Sequence, residues 1–396
     1  MNSKIITVLA AALLAAAPAT VKGQEDELRR VLESVERNNL SLRAEAYATA
    51  GRTYEARTGN SLEPLSISYS SMGDAPAALG KEGELEVSQS FDLPMLYATR
   101  SRIAATRARQ YEAEYLALRQ QILLEAQEVY LELCALHGIA EINAPRLTAA
   151  EHMAALFASR YETGDATAID RNRTEFEYLL LREELSEVDK RIIELSQRLA
   201  ALNGGELPEC GYRMPPAEAM MPLEALLADW ETCAPDLTAL RLQEESARYD
   251  VRLSRQQALP KIELGYKYEY GTGERFNGFS AGLSIPLFSN RFNVKRARAM
   301  EQAAKAGAES ALTEKRSAVR ELYLKVDYTG RMLESFSTMP DAAEYTDMLG
   351  RTLEAGQINI VDYYSELDTF YSALEVRIRT ELEYRLGLAR LHVIYL

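Results

Sequence analysis

The 396-residue chain has one tryptophan, nine phenylalanines, three cysteines and three histidines. So few large aromatics are poor material for the two or three globular cores this length would otherwise hold, and long helices packed side by side suit the composition better. Basic charge is also short: the formal net charge is −14. An acidic surface lacks the electrostatic grip on phosphates that nucleic-acid binding needs, so no nucleic-acid partner is expected. Long apolar runs are scarce too. Past the first two dozen residues none approaches the roughly 20 residues of a membrane-spanning helix, so a membrane would have to be met by another kind of structure.

Chemistry-bearing patterns are equally thin. His137, His152 and His392 fall within helical patterns, without Cys or carboxylate neighbours at metal-ligand spacing. Neither a nucleophile elbow nor a phosphate loop is present. No catalytic residue, metal or cofactor is expected, and the chain does not read as an enzyme.

What is present begins with a leader. Residues 1–23 combine Lys4, an apolar stretch from Ile5 to Ala17, Pro18 and the small-ended TVKG, the layout of a secretory signal peptide cleaved near Gly23. No cysteine lies near that point to carry a lipid. Cys134 falls inside a helical pattern and reads as a small buried apolar residue. Cys210 and Cys233 share one irregular stretch, and in an oxidising compartment they either pair as a disulfide or stand as free thiols.

The main signal is an internal repeat. YETGDATAID (161–170) and EAGQINIVD (354–362) place Gly164 and Gly356 356 − 164 = 192 residues apart, each followed six positions later by Asp170 or Asp362. LEPLSISYS around Pro64 answers ALPKIELGYKY around Pro260, and SFDLPML around Pro94 answers LSIPLF around Pro286. Three landmarks in one order and nearly one spacing make two copies of a unit, over 24–203 and 234–396, joined by a Gly- and Pro-rich connector at 204–233.

Each copy reads helix, strand, strand, long helix, long helix, a mainly α protein with a small β part. Ile122, Ala126, Val129, Leu133, Leu136 and Ala140 step by fours and threes, as do Leu181, Leu185, Val188, Ile192, Leu195, Leu199 and Leu202. That period of 3.5 marks helices that coil on partners. A single helix over 95–162 would extend about 100 Å at 1.5 Å per residue, and the glycine would be its hairpin end. Pro145 and Pro340 are expected to kink or interrupt the long helices. A glycine just past a helix end is also an ordinary cap, but the shared continuation Gly-x-x-Thr/Asn-x-x-Asp asks for more than that.

The strands are expected at about 64–70, 84–93, 261–270 and 278–287. In the third, Ile262, Leu264, Tyr266, Tyr268 and Tyr270 alternate with Lys261, Glu263, Gly265, Lys267 and Glu269; in the fourth, Phe279, Ala281, Leu283, Ile285 and Leu287 alternate with small residues and Pro286. Half-buried strands of soluble sandwiches alternate too. Four strands cannot enclose a core, however, and their length suits the 9–11 residues with which a tilted strand crosses a bilayer. Leu264, Tyr266, Tyr268, Phe279, Leu283 and Ile285 would then face lipid. An open edge in lipid leaves backbone groups unpaired, so a barrel must be closed by several chains, with 71–83 and 271–277 as loops outside the cell.

The duplicated unit, the order of its parts and the two glycine motifs followed by heptads resemble the TolC family of outer-membrane efflux ducts, in particular its CusC-like branch. The likeness covers nearly the whole mature chain; no single motif is very specific, and its weight lies in two copies correctly placed. It implies a homotrimer with a 12-stranded β-barrel in the outer membrane of a Gram-negative bacterium, continuing into a long periplasmic α-helical barrel. It also implies an exit duct that passes drugs, metal ions or other small molecules from an inner-membrane pump, of RND type, through a periplasmic adaptor protein. The turns would form the tip that docks the adaptor, with Gly164, Ala166, Thr167, Gly356, Ile358 and Asn359 at the contact. Asp170 and Asp362 would form carboxylate rings at the pore constriction, or else be ordinary first-turn residues of the helices that follow. The Val-Gly-Leu/Ala-Thr pattern of the family tip is matched only in part, and Leu353 and Ile358 stand where some members place a Tyr and an Arg that lock it. The rival reading is a periplasmic coiled-coil adaptor or structural protein.

Overall fold

The computed structural model describes residues 22–72, 82–216, 218–271, 275–286 and 292–396. Most of the leader, Leu287 and the middles of the two expected outer loops lie outside them. Along the chain run α1 (Lys22–Asn38), α2 (Leu40–Thr58), β1 (Ser66–Met72), β2 (Glu82–Phe91), α3 (Pro94–Thr163) and α4 (Ala168–Leu202). The order then recurs in α5 (Leu223–Cys233), α6 (Pro235–Gln256), β3 (Lys261–Tyr270), β4 (Arg275–Ser284), α7 (Asn293–Ser335), α8 (Ala342–Glu354) and α9 (Ile360–His392). The connector is therefore irregular only up to α5.

The two central prolines behave differently. α3 runs through Pro145 without interruption; Glu141, whose carbonyl loses its amide partner there, and Pro145 itself lie on an exposed side, where water replaces the missing bond. At Pro340 the expected break occurs. α7 ends at Ser335, a short 3-10 turn follows, and Asp341 starts α8 afresh by accepting from the Ala343 and Glu344 amides at 2.9 and 3.2 Å.

Two compact units divide the chain differently from the repeat, each drawing on both copies. One comprises Met1–Leu40, Gln121–Met221 and Leu322–Leu396. Here the heptad positions Ile122, Ala126, Val129 and Leu133 of α3 and Leu195, Leu199 and Leu202 of α4 are buried, as the 3.5 period requires. Leu349 of α8 clusters with Leu367, Phe370, Tyr371 and Leu374 of α9. A buried carboxylate, Glu375, is held by the Asn143 amide at 2.9 Å and paired with Arg379 at 3.2 Å, which offsets its desolvation.

The other unit comprises Ser41–Gln120 and Pro222–Glu321. It holds all four strands, which form one sheet in the order β1-β2-β3-β4 with every neighbour antiparallel. Its helices pack through small side chains, Ala113 against Ala239 and Leu242. Ion pairs add to this, Arg107 with Asp250 at 2.9 Å and Lys315 with Asp236 at 2.6 Å.

A one-faced sheet and two capped turns

The register of the sheet sorts its residues into rows. Ile67, Val87, Tyr266 and Phe279 form one row; Tyr69, Leu85, Tyr268 and Asn277 the next; Gln89, Leu264 and Ala281, then Phe91, Ile262 and Leu283, continue the same face. Residues directly opposite on antiparallel strands share a face, so one side of the sheet is mostly apolar and aromatic, with Gln89 and Asn277 within it and Ser71 and Arg275 in its end row. It is open: Phe279 is 93% exposed and Leu283 70%. Tyr266 meets Phe279 edge-on at 5.7 Å, and the Tyr69 and Tyr270 hydroxyls are 2.7 Å apart. The Tyr270 side chain lies over Gly83, where an added Cβ would meet its hydroxyl at 2.5 Å and displace it.

The opposite side carries Ser66, Ser68, Ser70, Glu84, Glu86, Ser88, Glu263, Gly265, Lys267, Glu269 and Ser280. Lys267 bridges Glu84 at 2.8 Å and Glu86 at 3.4 Å. Phe276, opposite Glu269, and Met72, opposite Glu82, are apolar residues on this side. β3 has the expected bounds, and the ends of the other three strands differ from expectation by two or three residues. β2 stops at Phe91 because Asp92 turns in, buried, to pair with Arg100 at 2.7 Å. β4 stops at Ser284, opposite Lys261, since Pro286 has no amide to extend the ladder. Ile285 thus lies just beyond the strand, exposed.

The turns explain the glycine motif. Gly164 has φ 81° and Gly356 φ 68°, a conformation glycine alone adopts without cost. At the first, the Asp165 amide bonds the Arg160 carbonyl at 2.8 Å and that of Gly164 bonds Tyr161 at 3.2 Å; at the second, Gln357 bonds Thr352 at 3.1 Å and Gly356 bonds Leu353 at 2.9 Å. Both are Schellman ends. Three residues on, the next helix is capped. Thr167 accepts from the Asp170 amide at 3.2 Å while the Asp170 carboxylate accepts from the Thr167 amide and hydroxyl at 3.1 and 2.7 Å, a capping box. Asn359 accepts from the Val361 and Asp362 amides at 2.8 and 2.9 Å. Gly-x-x-Thr/Asn-x-x-Asp is thus one helix end joined to one helix start, and the pattern itself asks for nothing beyond two caps.

Among the expected tip residues, Gly164, Thr167, Gly356 and Asn359 are exposed and Ala166 is half-buried. Ile358 turns inward against the Leu349–Phe370 cluster, which takes part of its surface away from any partner. Asp170 and Asp362 both occupy the first turn of their helices. The hydrogen bonds from Thr167 hold the Asp170 carboxyl below the usual carboxylate range. The three cysteines are free thiols in this structure, Cys134 buried, Cys210 half-buried and Cys233 exposed, so neither the Cys210–Cys233 bond nor any other joins them here. Among the described residues no group of side chains suits a metal ion, and no helix is long and apolar enough to cross a membrane.

An antiparallel sheet with one apolar side and two edge strands, in a chain of long heptad helices reversing at capped turns, is the fold of solved outer-membrane channels such as OprN and the CmeC channel of Campylobacter jejuni. Residues 228–393 match the family model described as outer membrane efflux protein. The chain is 23% identical to the outer membrane protein TolC of Vibrio cholerae over 55% of its own length and 54% of that protein's, so it aligns with about half of the curated relative it matches. The fold likeness is broader. A membrane protein of Pseudomonas aeruginosa superposes with a TM-score of 0.77 at 19% identity, covering 93% of both chains, and CusC with 0.71 at 14%, covering 93% and 92%. Likeness of this order fixes the fold and does not single out the CusC-like branch.

Proposed function

We propose that the chain is the outer-membrane exit channel of a tripartite efflux pump, similar to the CusC-like ducts. Three copies close a 12-stranded barrel in the outer membrane, and their helices continue as a barrel into the periplasm. There the Gly164 and Gly356 turns meet a periplasmic adaptor, and through it an inner-membrane pump of RND type that supplies the small-molecule cargo.

The observation that carries this reading is the sheet. An apolar side with Phe279 and Leu283 fully presented, backed by a side of Glu, Lys, Ser and Gly, suits lipid outside and water inside. The free edges of β1 and β4 each need a partner strand there, because unpaired backbone groups cost several kcal/mol apiece in hydrocarbon. Fractionation of the expressing cells is the test: the mature chain is expected in the outer membrane, released by detergent as a trimer. Recovery in the soluble periplasmic fraction without detergent would instead establish a coiled-coil adaptor.

A further inference from the structure

The connector is tied to the helical core beside two of the three cysteines. The Glu27 carboxylate of α1 accepts from the Gly211 and Tyr212 amides at 2.7 and 3.1 Å and from the Tyr130 hydroxyl of α3 at 3.0 Å. The Tyr130 hydroxyl also lies 3.2 Å from the Arg213 carbonyl. Tyr212 stacks on His137 of α3 with ring centroids 4.7 Å apart. Tyr212 is also the non-glycine residue held at positive φ, 50°, a strained backbone that persists only where its surroundings impose it. Cys134 stands between Tyr130 and His137, one helical turn from each, and Cys210 directly precedes the pinned Gly211–Tyr212 pair.

We propose that Cys134 and Cys210 close a disulfide that staples the connector to α3. The proposal rests on the exported location given above, which puts the thiols in an oxidising compartment. Burial pushes the Cys134 thiol up to about 12 and the less buried Cys210 thiol upward as well. The half-buried Cys210 is therefore the entry point. Its thiolate attacks a disulfide oxidant, such as a periplasmic thiol oxidase, and one oxidant sulfur leaves as a thiol. Cys134 then gives up its proton and attacks the Cys210 sulfur, displacing the second oxidant sulfur. Two electrons and two protons pass to the oxidant, which ends as two thiols. The bond closes a long loop holding the end of α3, the Gly164 turn and all of α4, and so restricts the unfolded chain.

The test uses the full chain purified in detergent, exposed to oxidised glutathione, acid-quenched and mapped by mass spectrometry without reduction. A peptide joining Cys134 to Cys210 is expected in the wild type and in Cys233→Ser, and is lost in Cys134→Ser and in Cys210→Ser. Reduction should also speed tryptic cleavage at Arg213 in the wild type and leave the rate unchanged in Cys210→Ser. Glutathione adducts on separate cysteines, thiols left free, or a link to Cys233 would each overturn the proposal. Because the oxidation is done on purified protein, its outcome is independent of where the chain resides, which fractionation reads separately.

Discussion

At single residues, the turns are decided by backbone conformation and not by space. A Cβ at Gly164 or Gly356 would meet no atom within 4 Å, so any cost of substitution comes from the left-handed φ, about 1–2 kcal/mol for a residue with a side chain and least for Asn. Gly356→Val should therefore lower the thermal midpoint more than Gly356→Asn, with the trimer still reaching the membrane. If the turn docks the adaptor, Val should also abolish efflux; unchanged efflux would leave Gly356 a cap alone. The capping box gives a second, pH-dependent expectation. The folded-state pKa of Asp170 lies below its unfolded value, so its contribution is present above the unfolded carboxylate range and is lost as pH falls through the folded pKa. Protection factors of the amides in the first turn of α4, which correct for the intrinsic pH dependence of exchange, should fall on acidification, and Thr167→Ala, at a cost of about 1 kcal/mol, should remove that fall.

At the level of elements, the sheet separates its two sides residue by residue. Leu283 and Ser284 are neighbours on opposite faces of β4. Leu283→Arg, in the last row of the sheet, should cost less than the roughly 2–4 kcal/mol of a mid-bilayer position yet reduce the yield of folded trimer, whereas Ser284→Arg should be accepted. Equal yields from both variants would mean that the apolar side does not face lipid. The glycine motifs and the heptads were legible in the sequence because both are local: three-and-four spacing needs only one helix, and Schellman ends and N-caps need only six or seven consecutive residues. The strand ends were not, since Asp92 turns in toward Arg100 and β4 ends where its pairing with β3 ends. At Pro145 the helix is not interrupted, for a related reason. The proline's effect depends on whether the freed Glu141 carbonyl meets water, which the pattern of prolines does not state.

For the whole molecule, three copies of Asp170 and of Asp362 would bring six carboxylates to the narrow end of the duct. Like charges in a confined pore favour cations, while first-turn aspartates pointing outward would have no such effect. Asp362→Asn should reduce cation preference, measured by reversal potential in a salt gradient across a planar bilayer, and weaken block by multivalent cations. Unaltered selectivity and block in the double Asn variant would leave both aspartates as helix-start residues. Asp362, exposed and accepting no cap bond from Asn359, is the better placed of the two, since the Asp170 carboxylate is already engaged by Thr167.

The sequence alone determined the duplication, the heptad helices, the reversal points and the alternation of the strands, all of which are carried by neighbours along the chain. Tertiary structure decided how the copies combine. Each compact unit takes segments from both repeats, because a helix–strand–strand–helix unit of this size buries too little apolar surface by itself, and β2 finds its partner in β3 of the other copy. Tertiary structure also set the rows across the sheet, turned Ile358 inward, and seated Tyr212 of the connector on His137 of α3. Contacts between residues far apart in the chain depend on packing that no local pattern encodes.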